Sequence, residues 1–160
     1  MLYFAYGSNM PTARFIKRIP SARLFHTGLL QGHELRFHKV GRDGTGKCDL
    51  FYTGAVSDCV RGAIYKIDPV EKEILDGIEK GYEVKNIDVV TVKGEKVRAF
   101  TYCAVWVDEK LKPYDWYRHH LVAGAKEHNF PEDYIQRIKA IEVLEDNDLV
   151  RRDMELGIYG

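Results

Sequence analysis

The chain has 160 residues, 45% hydrophobic and 30% charged, a length and composition that suit one globular domain spanning residues 1–160 with a core of its own. Its 24 Lys+Arg balance 24 Asp+Glu, so the basic footprint that phosphate neutralisation demands is missing, and nucleic acid is not an expected partner. The cysteines, Cys48, Cys59 and Cys103, are odd in number and never spaced C-x-x-C. That argues against a disulfide framework or zinc site and for a reduced, cytoplasmic protein.

Met1-Leu2-Tyr3-Phe4-Ala5-Tyr6-Gly7 has no basic n-region and only a short apolar run, so neither a signal peptide nor a membrane span is expected. Leu2–Tyr6 reads as a buried strand running into a turn at Gly7-Ser8-Asn9. Met10, Ala13, Phe15 and Ile16 fall near helical spacing, and Pro20 stops that segment. Ala22–Leu30 and Glu34–Val40 read as strands joined around Gln31-Gly32-His33, followed by a glycine-rich loop at Gly41–Lys47. Leu50–Val56 and Val60–Ile67 are the next two strands. Asp68-Pro69-Val70-Glu71 has capping-box spacing with proline at the first helical position. The helix it opens should place Val70, Ile74, Leu75 and Ile78 on one face and end near Gly81. Tyr82–Val92 and Lys96–Val107, rich in Val, Ile, Thr, Tyr and Phe, form a hairpin across Lys93-Gly94-Glu95. Helices are expected over Tyr114–Glu127 and Glu132–Ile141, with a last short one in the charged tail. Consecutive strands followed by helices give an α+β domain.

Gly41-Arg42-Asp43-Gly44-Thr45-Gly46-Lys47-Cys48 matches a phosphate loop except at its last position. Cys48 stands where a magnesium-binding hydroxyl belongs, and a strand follows where a helix should open. We read it as a turn between strands. His119 and His120 are adjacent on a predicted helix and point about 100° apart, so they cannot share a metal as an i, i+4 pair would. His26, His33, His38 and His128 have no ligand spacing either, so no metal site is expected. Ser8 lies on a bend, but its flanks do not form a G-x-S-x-G elbow.

Two features remain. The turn Tyr6-Gly7-Ser8-Asn9 joins a strand to a helix and can direct backbone N–H groups outward toward an anion, and Gly7 permits close approach of backbone to ligand. A plain tight turn is the competing reading. Glu79 lies in the last turn of its predicted helix, where the helix dipole disfavours a carboxylate, and burial would raise its pKa further toward the range useful for proton transfer. The competing reading is a solvated acid on a charged helix.

Phe4-Ala5-Tyr6-Gly7-Ser8-Asn9-Met10 is similar to the N-terminal signature of the gamma-glutamylcyclotransferase-like family. Leu75-Asp76-Gly77-Ile78-Glu79 resembles that family's Leu-Asp-x-x-Glu segment, whose final Glu is the catalytic acid/base. Gly124-Ala125-Lys126-Glu127, Pro131, Tyr134 and Lys139–Glu142 are similar to its C-terminal helical region. The resemblance implies a mixed, barrel-like β-sheet with flanking helices, and release of 5-oxoproline from gamma-glutamyl amides by attack of the substrate's own α-amine. It implies Glu79 as general acid/base, a pocket lined by Tyr6, Gly7, Ser8, Asn9, Tyr82, Tyr102 and Tyr117, and no metal or cofactor. The implied partner is a small gamma-glutamyl molecule, with neither nucleic acid nor membrane, and a homodimer is compatible. Two other readings are a binding module that keeps the pocket without turnover and a nucleotide-binding protein built on Gly41–Lys47. The retained Glu79 argues against the first, and the strand after the loop argues against the second. Gly77, just before Glu79, and the tail Asn147–Gly160 depart from the family pattern.

Overall fold

A computed structural model of the chain describes all 160 residues. Seven strands and five α-helices occur in the order β1 (Leu2–Ala5), α1 (Thr12–Arg18), β2 (Arg23–Gln31), β3 (His33–Val40), β4 (Gly46–Tyr52), β5 (Cys59–Lys66), α2 (Lys72–Ile78), β6 (Tyr82–Thr91), β7 (Lys96–Ala104), α3 (Asp115–Glu127), α4 (Glu132–Lys139) and α5 (Leu149–Leu156). Five strands close into a barrel in the order β1-β5-β2-β6-β7, while β3 and β4 form a separate two-stranded sheet. Closure is mixed: β1 runs antiparallel to β5 and parallel to β7, where Tyr3 faces Phe100. A Cβ on Gly28 would lie 2.7 Å from the Val89 side chain and 2.8 Å from the Val90 carbonyl, so glycine is what lets β2 approach β6.

The β1–β5 wall is packed on both faces: Phe4 and Ile64 point to one side, and Tyr3 and Tyr65 to the other, against Phe15 of α1. Phe4, Phe15, Ile64 and Tyr65 are completely buried, and the rings of Phe15 and Tyr65 lie 4.7 Å apart. Burying such side chains supplies about 1.5–3 kcal/mol each, which explains why a seven-residue helix too short to persist alone stays formed. The face of α1 differs from its apolar pattern, however. Arg14 and Phe15 are buried, while Ala13 and Ile16 are exposed.

The expected single helix after Asp68 is a 3-10 turn, Pro69–Glu71, followed by α2. Asp68 does cap, accepting from Val70 N–H at 3.0 Å. The second half of the capping box does not form, because the Glu71 carboxylate instead accepts from the backbone and hydroxyl of Ser21. Of the four apolar residues expected on one face, only Leu75 is buried, and Val70 is 79% exposed. A two-turn helix lying on a curved barrel wall has one residue deep enough to reach the core. Strand β4 starts at Gly46 and ends at Tyr52, earlier at both ends than its β-branched and aromatic content suggests, and Gly54, at φ 72°, turns the chain away.

The tail is anchored. Buried Asp146 accepts from Trp116 Nε1 at 2.7 Å and from Arg151 Nε at 2.6 Å, and Asp148 caps α5 through Arg151 N–H at 3.0 Å. From α5 the Glu155 carboxylate reaches Arg14 on α1 and His120 on α3. No helix is long and apolar enough to cross a membrane.

Candidate active site

Strand β1 ends at Ala5, and the chain bends at once to start α1. The backbone bond in this turn runs from Met10 N–H to the Gly7 carbonyl, 3.0 Å, so the N–H groups of Gly7, Ser8 and Asn9 are left without backbone acceptors. A Cβ on Gly7 would sit 3.2 Å from Cys48 Cβ and 3.7 Å from the Tyr117 hydroxyl. Glycine therefore serves packing against β4 and α3 as well as access to the turn.

Glu79 is the residue that ends α2, its N–H bonded to the Leu75 carbonyl at 2.9 Å. Its backbone bends out of the helix there, and the carboxyl lies over the first turn. Asn9 Nδ2 donates to Glu79 Oε1 at 2.7 Å across 70 residues of sequence. The other end of the same amide is fixed, since Arg18 donates to Asn9 Oδ1 at 2.9 Å. Asn9 thus couples the guanidinium on α1 to the carboxyl on α2. Desolvation raises the Glu79 pKa above its ordinary value, while Arg18, the Asn9 bond, Lys39 and Arg14 pull it back down. A carboxyl held this way can exchange a proton nearer neutrality than a solvated glutamate.

All eight residues named from the sequence, Glu79, Tyr6, Gly7, Ser8, Asn9, Tyr82, Tyr102 and Tyr117, line one small cavity, together with Tyr3 and Cys48. The tyrosines are mostly committed to the protein. Tyr6 donates to the Tyr102 carbonyl at 2.6 Å, Tyr82 to the Cys48 carbonyl at 2.8 Å, and Tyr102 to Asp76 at 2.6 Å. Tyr117 accepts from Cys48 N–H at 3.0 Å, and its O–H is turned to the Cys48 sulfur. The rings therefore act as rigid walls, and the polar groups left without a protein partner are the N–H groups of the turn. Burial pushes the Tyr6, Tyr82 and Tyr117 hydroxyls well up, which keeps them protonated.

Lys39, Arg18 and Arg14 were not legible as site residues. Lys39 ends β3 buried, donating to the Lys80 carbonyl at 3.0 Å and lying 4.6 Å from the centre of the Tyr82 ring. Arg14 and Arg18 are four apart on α1 and so share a face, a signal that counting only apolar positions passes over. The histidines build no metal site: buried His120 bonds Tyr159 and Glu155, and burial pushes it down to about 4. Strand β4 begins at Gly46, within the Gly41–Lys47 stretch, so a strand and not a helix continues the loop, as the sequence requires if the loop is a turn.

Residues 59–138 match the AIG2-like family. The gamma-glutamylcyclotransferase of Homo sapiens is 32% identical over 152 residues, 88% of this chain and 78% of that protein. The gamma-glutamylcyclotransferase of Mus musculus is 31% identical over 165 residues, 96% of this chain and 85% of that protein. A solved structure of a gamma-glutamyl cyclotransferase superposes with a TM-score of 0.88 at 30% identity, covering 99% of this chain and 98% of that one.

Proposed function

This chain belongs to the gamma-glutamylcyclotransferase family and is an enzyme of that kind, and we propose that Glu79 is the group that moves its proton. The reaction needs a base for the substrate's α-ammonium and an acid for the departing amine. One carboxylate in contact with both serves in turn. Glu79 takes a proton from the α-ammonium, the freed amine attacks the γ-carbonyl carbon, and a five-membered ring closes. The ring nitrogen, left with two hydrogens by the attack, gives one to solvent; the tetrahedral oxyanion collapses, the γ-amide C–N bond breaks, and the leaving nitrogen receives the proton held by Glu79. The products are 5-oxoproline and an amine or amino acid. The step is an internal acyl transfer and uses no metal.

The free N–H groups of Gly7, Ser8 and Asn9 are placed to bind an anionic part of the substrate. Each one aimed at the oxyanion contributes about 3–4 kcal/mol to the transition state. The observation that carries the reading is the 2.7 Å bond from Asn9 to Glu79, which brings the donor turn and the desolvated carboxyl into one cavity. The three free cysteines suit a reducing, cytoplasmic setting.

Incubation with a panel of gamma-glutamyl amino acids and amines, with 5-oxoproline measured, tests the proposal. Release should occur for at least one class and be indifferent to EDTA. A rate that collapses with chelator and returns with a divalent cation would overturn the metal-free mechanism.

A further inference from the structure

Past Glu79 the cavity widens into an antechamber open to solvent, the two spaces sharing Ser8, Glu79, Tyr82 and Tyr117, with the two tyrosines at the neck. Its lining includes six cationic residues, Arg14, Arg18, Lys39, Arg42, Lys47 and Lys80, against three carboxylates, Asp43, Glu79 and Glu155. The chain as a whole is neutral, so this excess is a local concentration.

The acids quench it only in part. Glu155 is taken by Arg14 and His120, and Asp43 by Lys47 at 2.8 Å. Arg18 holds only the Asn9 amide oxygen, Lys39 only a backbone carbonyl, and Arg42 forms neither a hydrogen bond nor an ion pair. Arg14, 6% exposed, keeps a buried Nε with no partner. Desolvation lowers the pKa of both Arg18 and Lys39. Like charges gathered in a partly closed space with too few counterions are costly, and a ligand that supplies the missing counter-charge recovers that cost on binding.

A gamma-glutamyl group cannot supply it, because its α-ammonium and α-carboxylate cancel. The balance falls to the leaving group, which is the part that extends past Glu79 into the antechamber. We infer that the preferred substrate is a gamma-glutamyl compound with an acidic leaving group: an amino acid or short peptide carrying a second carboxylate besides its α-carboxylate. This rests on the cyclotransferase reading with Glu79 at the reacting amide. Arg42 at the exposed mouth and Lys39 at the neck are the specificity-determining residues. The chemistry is unchanged by the choice: the same C–N bond breaks, and the acidic amine leaves protonated by Glu79.

The test compares gamma-glutamyl-glutamate with gamma-glutamyl-glutamine, which match in shape and differ by one charge. The glutamate compound should have the higher kcat/KM by at least about tenfold at low salt, and the ratio should shrink as KCl is raised. Arg42→Gln and Lys39→Met should each lower the ratio. Calorimetry with the Glu79→Gln variant reads the same preference in binding, without turnover. Equal or reversed preference in both measurements, with gamma-glutamyl-alanine still converted to 5-oxoproline, overturns the acidic leaving group and leaves the cyclotransferase intact. Preferential binding of the glutamate compound with no 5-oxoproline from any substrate supports the anion site and overturns the reaction. Failure of both compounds to bind overturns the inference.

Discussion

Asn9 is only 3% exposed, and its amide must satisfy an anion on one side and a cation on the other. Its oxygen faces Arg18 and its nitrogen faces Glu79. Aspartate of the same shape would set a second carboxylate against Glu79, and leucine would leave both partners unpaired. The carboxyl is thereby balanced between desolvation, which raises its pKa, and Arg18 and Lys39, which lower it. The sign for catalysis follows. In the proposed role Glu79 must be ionised to accept a proton, so kcat/KM should fall as pH drops through the Glu79 pKa, and that limb should lie above the ordinary glutamate value. Lys39→Met removes one of the cations holding it down, so the acid limb should move to higher pH. The pH profile for gamma-glutamyl-alanine checks this, and a limb that stays in place or moves lower would contradict it.

At the scale of the element, α2 and the turn after it decide how Glu79 is presented. Gly77 does not end the helix, which continues to Ile78. Nothing lies within 4 Å of the Cβ that alanine would add there. Gly77→Ala should therefore stabilise the protein by about 0.5–1 kcal/mol. Gly81 is the opposite case: its φ of 81° is left-handed, and a Cβ would come within 3.0 Å of Lys39 Nζ. Gly81→Ala should destabilise by about 1–2 kcal/mol. Urea midpoints at unchanged m-value measure both, and a destabilising Gly77→Ala would mean that the helix end is held differently.

The same two elements show what sequence can and cannot reveal. The Tyr6–Asn9 turn and Glu79 were legible because each is a local pattern, a strand broken by glycine and an acid at the wrong end of a helix. The resemblance then tied them together. Lys39 was illegible because it reads as an ordinary charged strand residue, and only the contact of β3 with the turn after α2, through the Lys80 carbonyl, places it near Glu79. Arg14 was missed because burial of an arginine depends on Glu155, which arrives from α5 at the far end of the chain. The half-formed capping box has the same origin, since Ser21, 50 residues away, competes for Glu71.

At the scale of the whole molecule, the barrel places the ends of distant segments at one mouth. Strand β1 delivers the turn, the loop from α2 to β6 delivers Glu79 and Tyr82, β7 delivers Tyr102, and α3 delivers Tyr117. The mixed α+β architecture followed from the order of elements, whereas closure through the parallel β1–β7 pair is non-local and leaves no trace in any single strand. Rigid walls of committed tyrosines suit a reaction between two parts of one small molecule, because ring closure depends on holding the chain folded back on itself. The central claim is that Glu79 moves the proton. The direct measurement is 5-oxoproline release by Glu79→Gln beside the unaltered protein, with thermal unfolding recorded for both. Glutamine keeps the size of the side chain and its contact with Asn9 while removing the transferable proton. The rate should fall by about 10²–10⁴-fold with the melting temperature little changed. A Gln variant that releases 5-oxoproline at the original rate would contradict the assignment.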